Sequence, residues 1–144
     1  FDHARPQLVY FGEKDYQQLK VVEKLITNLK LGIKVIACPT IRESDGLALS
    51  SRNSYLSDKE RIRARALYET LEAVADRLNA NRDLLTQCDW GRNALIKAGF
   101  DKVDYFEILD DVTLAQEIRY RPGLRAFAAA WLGGTRLIDN LFLT

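Results

Sequence analysis

The chain has 144 residues, 47% of them hydrophobic and 28% charged, with a formal net charge of +1. This suits one ordinary domain, or two small ones with packed cores, and excludes a disordered tail. The balanced charge carries no footprint of a nucleic-acid binder or a polybasic membrane surface, and no apolar run nears the roughly 18 residues of a membrane span.

The first elements read β-α-β. Leu8-Val9-Tyr10-Phe11 is a short apolar run ended by Gly12, which predicts a buried strand. Asp15 is placed to cap a helix from about Tyr16, in which Leu19, Val22, Leu25, Ile26 and Leu29 share one face; Gly32 is its expected stop. Ile33 to Cys38 is rich in β-branched residues and ends at Pro39, predicting a second strand parallel to the first. Such a pair needs neighbouring strands and cover on both faces. Residues 1–38 therefore read as the last part of a larger α/β domain.

The next segment, Thr40 to Asn53, is polar and reads as a loop with at most one turn. Ser57-Asp58-Lys59-Glu60 is a capping box. It opens one long helix expected to run to about Ala80, with Leu67, Leu71, Val74 and Leu78 as its apolar stripe and Arg61, Arg63 and Arg65 on a solvated face. Further elements are a helix over Leu84–Ala98, a strand over Val103–Leu109 and a short helical stretch over Thr113–Gln116. Two strands follow, Leu124–Leu132 and Thr135–Leu143, joined by the hairpin signal Gly133-Gly134. Helices followed by an antiparallel meander make residues 39–144 a small α+β domain. The fold class is an α/β remnant, the terminal βαβ of a larger α/β domain, followed by that α+β domain.

Cys38 and Cys88 stand far apart without C-x-x-C spacing, which argues against a disulfide framework or structural zinc and for a reducing, cytoplasmic compartment. Each is read as a small apolar filler, and Trp90 and Trp131 as packing residues. Asp139 and Asn140, unusual within a strand, are read as hydrogen-bonding to nearby backbone. The single histidine, His3, cannot build a multi-histidine metal centre. The chain opens on Phe1, not Met, with no signal-peptide pattern, so it is read as beginning inside a longer sequence.

Two polar clusters can carry chemistry. Gly12-Glu13-Lys14-Asp15, with Gln18 one helical turn on, sits where a strand ends and a helix begins. Ligands of open α/β sheets bind at that edge, and helix N-termini attract anions. Lys14 can place its ammonium on a phosphate. Alone, the cluster reads equally well as a solvated turn with a charged cap. In the second cluster, Asp45 to Asn53, the hydroxyls of Ser50 and Ser51 and the guanidinium of Arg52 suit a polyphosphate. Glu43 or Asp45 could serve Mg²⁺ through water, although the spacing does not require it. Alone, this segment is better read as a polar loop in which Ser50 or Ser51 caps a turn. Together the clusters gain force: each follows one of two parallel strands, so Lys14 and the Ser50-Ser51-Arg52 trio are expected to close on one triphosphate. That arrangement suits nucleotidyl transfer, which relies on fixed cations and N–H donors.

FGEKDYQQL at 11–19, DGLALSSRN at 45–53 and AAWLGGTRLIDN at 129–140 resemble, in order, segments of the carboxyl half of the pantothenate synthetase (pantoate–β-alanine ligase) family. The resemblance covers essentially the whole chain. It implies a nucleotidyltransferase-type Rossmann domain with a smaller lid, residues 1–38 and 39–144 here, in a cytoplasmic homodimer of the coenzyme A pathway. It also implies that ATP and pantoate, with Mg²⁺, give pantoyl adenylate and pyrophosphate, and that β-alanine then displaces AMP to give pantothenate. On that resemblance Gly12, Glu13, Lys14, Asp15, Ile41, Leu49, Ser50, Ser51 and Arg52 would bind ATP. Gly12 and Asp15 would lie near the ribose, Lys14, Ser50, Ser51 and Arg52 would be catalytic on the phosphates, and Ile41 would act through its backbone. Gln18 would hold pantoate, and no residue would be a metal ligand.

The family's H-x-G-H signature is absent, and so are its first strands and a glutamine that binds pantoate and β-alanine. His3 is given no catalytic role, and the isolated chain is expected to be inactive. The alternative reading is a non-catalytic α+β interaction or dimerisation module. A nucleic-acid binder using Arg61, Arg63 and Arg65 is disfavoured by the neutral charge.

Overall fold

The computed structural model describes residues 6–80 and 83–144, and the chain divides into two compact units, Phe1–Thr40 and Ile41–Thr144. His3 lies outside the described residues.

In the first unit, β1 (Leu8–Gly12) is followed by a 3₁₀ turn (Glu13–Asp15), α1 (Tyr16–Asn28) and β2 (Lys34–Cys38). The strands pair in parallel, with Leu8 opposite Lys34 and Gly12 opposite Cys38. Tyr16, Leu19 and Ile26 are buried, whereas Leu25 and Leu29 of the expected stripe are exposed, as are Leu8 and Tyr10 on β1. Two details differ from expectation. Asp15 is the N-cap residue, but its side chain makes no capping bond; the 3₁₀ turn leads the chain into the helix instead. The helix stops before Gly32, through the Lys30 N–H on the Thr27 carbonyl (3.2 Å) and the Leu31 N–H on that of Ile26 (3.2 Å), with Lys30 left-handed at φ 50°. This is the bonding pattern of a Schellman motif.

The second unit contains α2 (Asp58–Ala64), α3 (Ala66–Leu78), α4 (Leu84–Lys97), β3 (Lys102–Asp110), β4 (Leu124–Leu132) and β5 (Thr135–Leu143). The capping box forms as expected: Ser57 Oγ accepts from the Glu60 N–H, and Glu60 accepts from the Ser57 N–H at 2.8 Å. The single long helix is divided at Arg65, whose backbone nevertheless stays right-handed helical. Leu67, Leu71, Val74 and Leu78 are all buried. The strands form a β3-β4-β5 antiparallel meander closed at Gly133-Gly134, with Leu132 opposite Thr135. The central strand β4 is buried at every residue except Trp131. Ala126, Ala128 and Ala130 belong to the core with Phe106 and the α3 and α4 leucines; small residues let the helices approach the sheet closely. Gly91 on α4 serves the same end, since a Cβ there would come within 2.8 Å of the Phe106 ring.

The helical stretch expected over 113–116 does not form. Asp110 Oδ1 accepts from the Val112 and Thr113 N–H groups (3.0 and 2.7 Å) and from the Thr113 hydroxyl (2.8 Å), and Leu114 is left-handed at φ 59°. A carboxylate that collects the next N–H groups offers the backbone a turn in place of a helix. These bonds, with the guanidinium of Arg121, hold the Asp110 carboxyl well below the usual carboxylate range.

Candidate functional site

The first cluster is brought together within the first unit. Gly12 ends β1, the 3₁₀ turn carries Glu13, Lys14 and Asp15, and Gln18 follows in the first turn of α1. Glu13 and Lys14 are half-buried; Gly12, Asp15 and Gln18 are exposed. Gly12 is in extended backbone, and a Cβ there would meet nothing within 4 Å. The protein itself therefore does not require a glycine at this point, and a ligand can come close to the backbone. Because β1 and β2 are parallel and in register, the turn after Gly12 and the segment after Cys38 leave the same carboxyl edge, the edge at which open α/β sheets bind ligands.

The second cluster is brought together within the second unit, and its segment is more ordered than a polar loop. The Leu49 N–H donates to the Ile41 carbonyl (2.9 Å), Arg42 and Ala48 form a bridge, and the Glu43 N–H donates to the Leu47 carbonyl (2.8 Å). Residues 41–49 are thus a small hairpin. Gly46 turns it at φ 89°, a left-handed angle that favours glycine, and a Cβ there would collide with the Tyr68 ring. Arg42 Nη1 and Nη2 donate to Asp139 Oδ2 and Oδ1 (2.6 and 3.0 Å), Nη1 also to the Gly46 carbonyl (3.1 Å), and the guanidinium lies 3.9 Å from the Tyr68 ring centre.

After the hairpin, Ser50 Oγ accepts from the Arg52 N–H (3.2 Å) and starts a 3₁₀ turn over Ser51–Tyr55. Ser50 therefore does cap a turn, as the plainer reading holds. A hydroxyl that accepts this bond still has its O–H to donate, so the two readings are compatible. Asn53 Nδ2 donates to the Ala48 carbonyl (3.1 Å) and ties the turn back to the hairpin. Ser51 and Arg52 are exposed, and so are the apolar side chains of Ile41 and Leu49. Arg52 Nη1 reaches the Arg136 carbonyl at 3.4 Å. Arg52 also lines an open cleft of about 360 Å³ with Tyr55, Trp131, Gly134, Thr135 and Arg136. The half-buried hydroxyl of Ser50, the exposed one of Ser51 and a guanidinium beside exposed apolar side chains can hold an anion with an apolar ring attached.

Of the two carboxylates read as open to a water-mediated Mg²⁺ role, Asp45 is taken up by Arg61 and Glu43 only approaches it. Asp45 receives Arg61 Nη1 and Nη2 on its two oxygens (2.7 and 3.1 Å), and Glu43 lies 3.8 Å from the same guanidinium. The hydrogen bond from Arg61 pulls the Asp45 carboxyl below its ordinary value. Among the described residues no three His, Cys, Asp or Glu side chains group as a metal site.

Sequence reading misses the residues that hold this segment. Arg61, expected on a solvated face, clasps the hairpin. Asp139 accepts from the nearby Asn140 N–H (2.8 Å), as expected, but also pairs with the distant Arg42 side chain, and Asn140 Oδ1 accepts from Arg125 Nη1 at 2.7 Å, where nearby backbone is the expected partner. Trp131, expected in packing, is only half-buried, and its indole N–H donates to Asp104 (3.0 Å). The one available signal is a pair of polar residues inside an apolar strand.

A family model described as pantoate-beta-alanine ligase matches residues 1–142. The chain belongs to that family. The pantothenate synthetase of Rhodospirillum rubrum is 49% identical over 146 residues, covering 98% of this chain and 50% of that protein. The one from Paramagnetospirillum magneticum is 47% identical over 137 residues, covering 94% and 48%. The chain thus spans about half the length of these curated members of the pantoate–β-alanine ligase family. The crystal structure of pantothenate synthetase from Thermus thermophilus superposes with a TM-score of 0.89 at 40% identity, over 96% of this chain and 50% of that one. The pantoate-beta-alanine ligase of Francisella tularensis, complexed with beta-gamma ATP and beta-alanine, gives 0.72 at 30% identity, over 98% and 45%. The βαβ unit followed by helices on an antiparallel sheet is therefore the fold of the matching half of these ligases.

Proposed function

We propose that this chain is the ATP-closing half of an ATP-dependent ligase that joins pantoate to β-alanine. The observation that carries the reading is the family match over residues 1–142, with both polar clusters present in the segments that match. Residues 1–38 are read as the carboxyl part of a Rossmann-like nucleotide-binding domain and 39–144 as its lid. The natural-length protein is read as a cytoplasmic homodimer.

In the first step a pantoate carboxylate oxygen attacks the α-phosphorus of ATP. A P–O bond forms, the bond to the bridging oxygen breaks, and pyrophosphate leaves with the electron pair. Negative charge grows on the β- and γ-phosphates, so fixed cations and O–H donors aimed at them stabilise that transition state more than the ground state. Lys14 is assigned to the phosphates from the first unit, and Ser50, Ser51 and Arg52 from the second. Gly12, Glu13 and Asp15 are assigned to the nucleotide, with Gly12 and Asp15 beside the ribose. The Ile41 backbone and Leu49 are assigned to the nucleotide as well, their exposed side chains offering it an apolar surface. Gln18 can donate to and accept from the polar groups of pantoate. In the second step the β-alanine amine attacks the acyl carbon; a C–N bond forms, the acyl–phosphate C–O bond breaks, the amine loses a proton and AMP leaves. Mg²⁺ would arrive bound to ATP and neutralise phosphate charge.

The test is pantoate-dependent ATP–pyrophosphate exchange in the natural-length protein. Lys14→Ala and Arg52→Ala should each slow exchange by about a hundredfold or more. Wild-type rates in both variants would defeat the assigned roles. The isolated 144-residue chain should show little ATP binding and no ligation by calorimetry and product assay. Tight Mg²⁺-dependent binding would show that this half carries more of the site than proposed.

A further inference from the structure

We infer that Arg42 and Asp139 are a positioning pair that holds the Ser50–Arg52 segment in the geometry in which it meets a polyphosphate. The Asp139 side chain is 1% exposed on β5 and sits opposite Ala128 in the sheet register. A carboxylate buried that deeply needs a charged partner and full hydrogen bonding. Its Oδ1 also accepts from the Asn140 N–H (2.8 Å), and both of its oxygens take the Arg42 fork. Arg42 spends its remaining contacts on the hairpin and the sheet: the Gly46 carbonyl at the turn, the Asn140 carbonyl at 3.4 Å, and the Tyr68 ring.

The same residue that is anchored to the sheet thus also grips the tip of the hairpin. The constraint passes along the ladder. The Arg42–Ala48 bridge and the bond from the Leu49 N–H to the Ile41 carbonyl fix the backbone up to the residue before Ser50. Asn53 repeats the tie from the other side through the Ala48 carbonyl. Beyond these ties Ser51 and Arg52 are exposed, the Ser51 carbonyl takes the Ser54 hydroxyl (2.7 Å) and Arg52 Nη1 reaches the Arg136 carbonyl (3.4 Å). Their direction is therefore set by the hairpin together with the short turn it leads into. Ordering such a segment in advance removes an entropic cost from binding and aims donors where charge develops.

This inference rests on the ligase reading for its kinetic arm only, so two measurements are needed. The first is amide hydrogen exchange on the 144-residue chain. Asp139→Asn should speed exchange at Glu43, Gly46, Leu47 and Leu49 by about tenfold or more and leave the β4 amides unchanged. The second is ATP–pyrophosphate exchange in the natural-length protein. The same substitution should raise the KM for ATP by about tenfold and that for pantoate less than about twofold. Asp83→Ala, which removes the side-chain cap of α4, should lower the thermal midpoint and move neither KM. If Asp139→Asn does not fold, Arg42→Lys keeps the charge but loses the fork, and should show the same pattern at about threefold. Wild-type loop exchange with a wild-type ATP KM in a folded variant would overturn the pairing, as would a loss that Asp83→Ala reproduces. A wild-type protein with no exchange activity would sink the ligase reading, and the amide measurement would still decide the pair.

Discussion

The two units solve the problem of burial differently. Ile41–Thr144 has a core of its own: α3 and α4 pack on a three-stranded sheet, and Leu71, Val74, Leu95, Phe106 and Leu124 are sealed from solvent. Phe1–Thr40 has a two-stranded parallel sheet and one helix, and among its described residues only Tyr16, Leu19 and Ile26 are buried apolar side chains. Tyr10, Val21 and Leu29 stand exposed there. Parallel strands are stable when both faces are covered, so this unit has the pattern of a fold in want of neighbours. The polar clusters follow the same division. One sits on a turn of the lightly packed unit, and the other on a hairpin that a well-packed unit grips with arginines. The geometry of the second cluster can be traced to local contacts; that of the first depends on a sheet with little to hold it.

The largest effects that would break this contrast come from the cores. Phe106→Ala should cost about 3–5 kcal/mol in urea denaturation and abolish slow amide exchange in β3–β5. Leu19→Ala should erase whatever protection β1 and α1 show while leaving the slow amides of β4 untouched. Equal loss in both units from Leu19→Ala would mean that they unfold as one body and that the contrast is only apparent.

Thiol chemistry sharpens the comparison at the next level. Cys38 ends β2 and is half-buried, whereas Cys88 is buried on α4, where burial pushes its thiol up to about 11. At pH 8 that shift lowers its thiolate fraction by about a hundredfold relative to an ordinary thiol. A disulfide reagent should therefore modify one cysteine per native chain quickly, and the second only after denaturant is added. Two equally fast thiols would show that α4 does not protect its inner face.

Much of this architecture is legible in the residues, because local rules and tertiary demands agree there. The Leu67-Leu71-Val74-Leu78 stripe, the Ser57–Glu60 box and the Gly133-Gly134 turn each encode their structure within a few positions. The failures share a cause. Asp110 displaces a helix with a side chain that competes for backbone donors, and Lys30 accepts a left-handed angle that sequence preference assigns to Gly32. The hairpin of 41–49 is not legible because its ties reach residues 97 positions away at Asp139 and into α2 at Arg61. For the candidate site, residue types suggest phosphate chemistry at both clusters, but not what holds either cluster still.

The Ser57 cap offers a milder probe of the second unit. Its hydroxyl and the Glu60 carboxylate satisfy each other's backbone donors at the start of α2, and Ser57→Ala should cost about 1 kcal/mol in urea denaturation.

The smallest effect concerns the rim of the cleft beside Arg52. There the Asp104 carboxyl takes hydrogen bonds from Arg136 Nε (2.7 Å) and the Trp131 indole (3.0 Å), with Lys102 at 3.1 Å. Arg136 first, then Lys102 and Trp131, hold its pKa at about 2. A carboxylate whose folded pKa is depressed contributes stability that is complete above the unfolded value, near about 4, and is lost as pH falls through about 2. The group is exposed, so the contribution is small and salt should weaken it further. Trp131 reports on it directly. In a Trp90→Phe background its fluorescence should titrate at about pH 2 in the native chain, and Asp104→Asn should abolish that step while leaving the neutral-pH spectrum of the unfolded chain unchanged. A step at the same pH in the Asp104→Asn chain would assign it to another carboxylate, and would mean that Arg136 is not tied to Asp104 in solution. It would then be a second guanidinium, beside Arg52, able to turn toward an anion in the cleft.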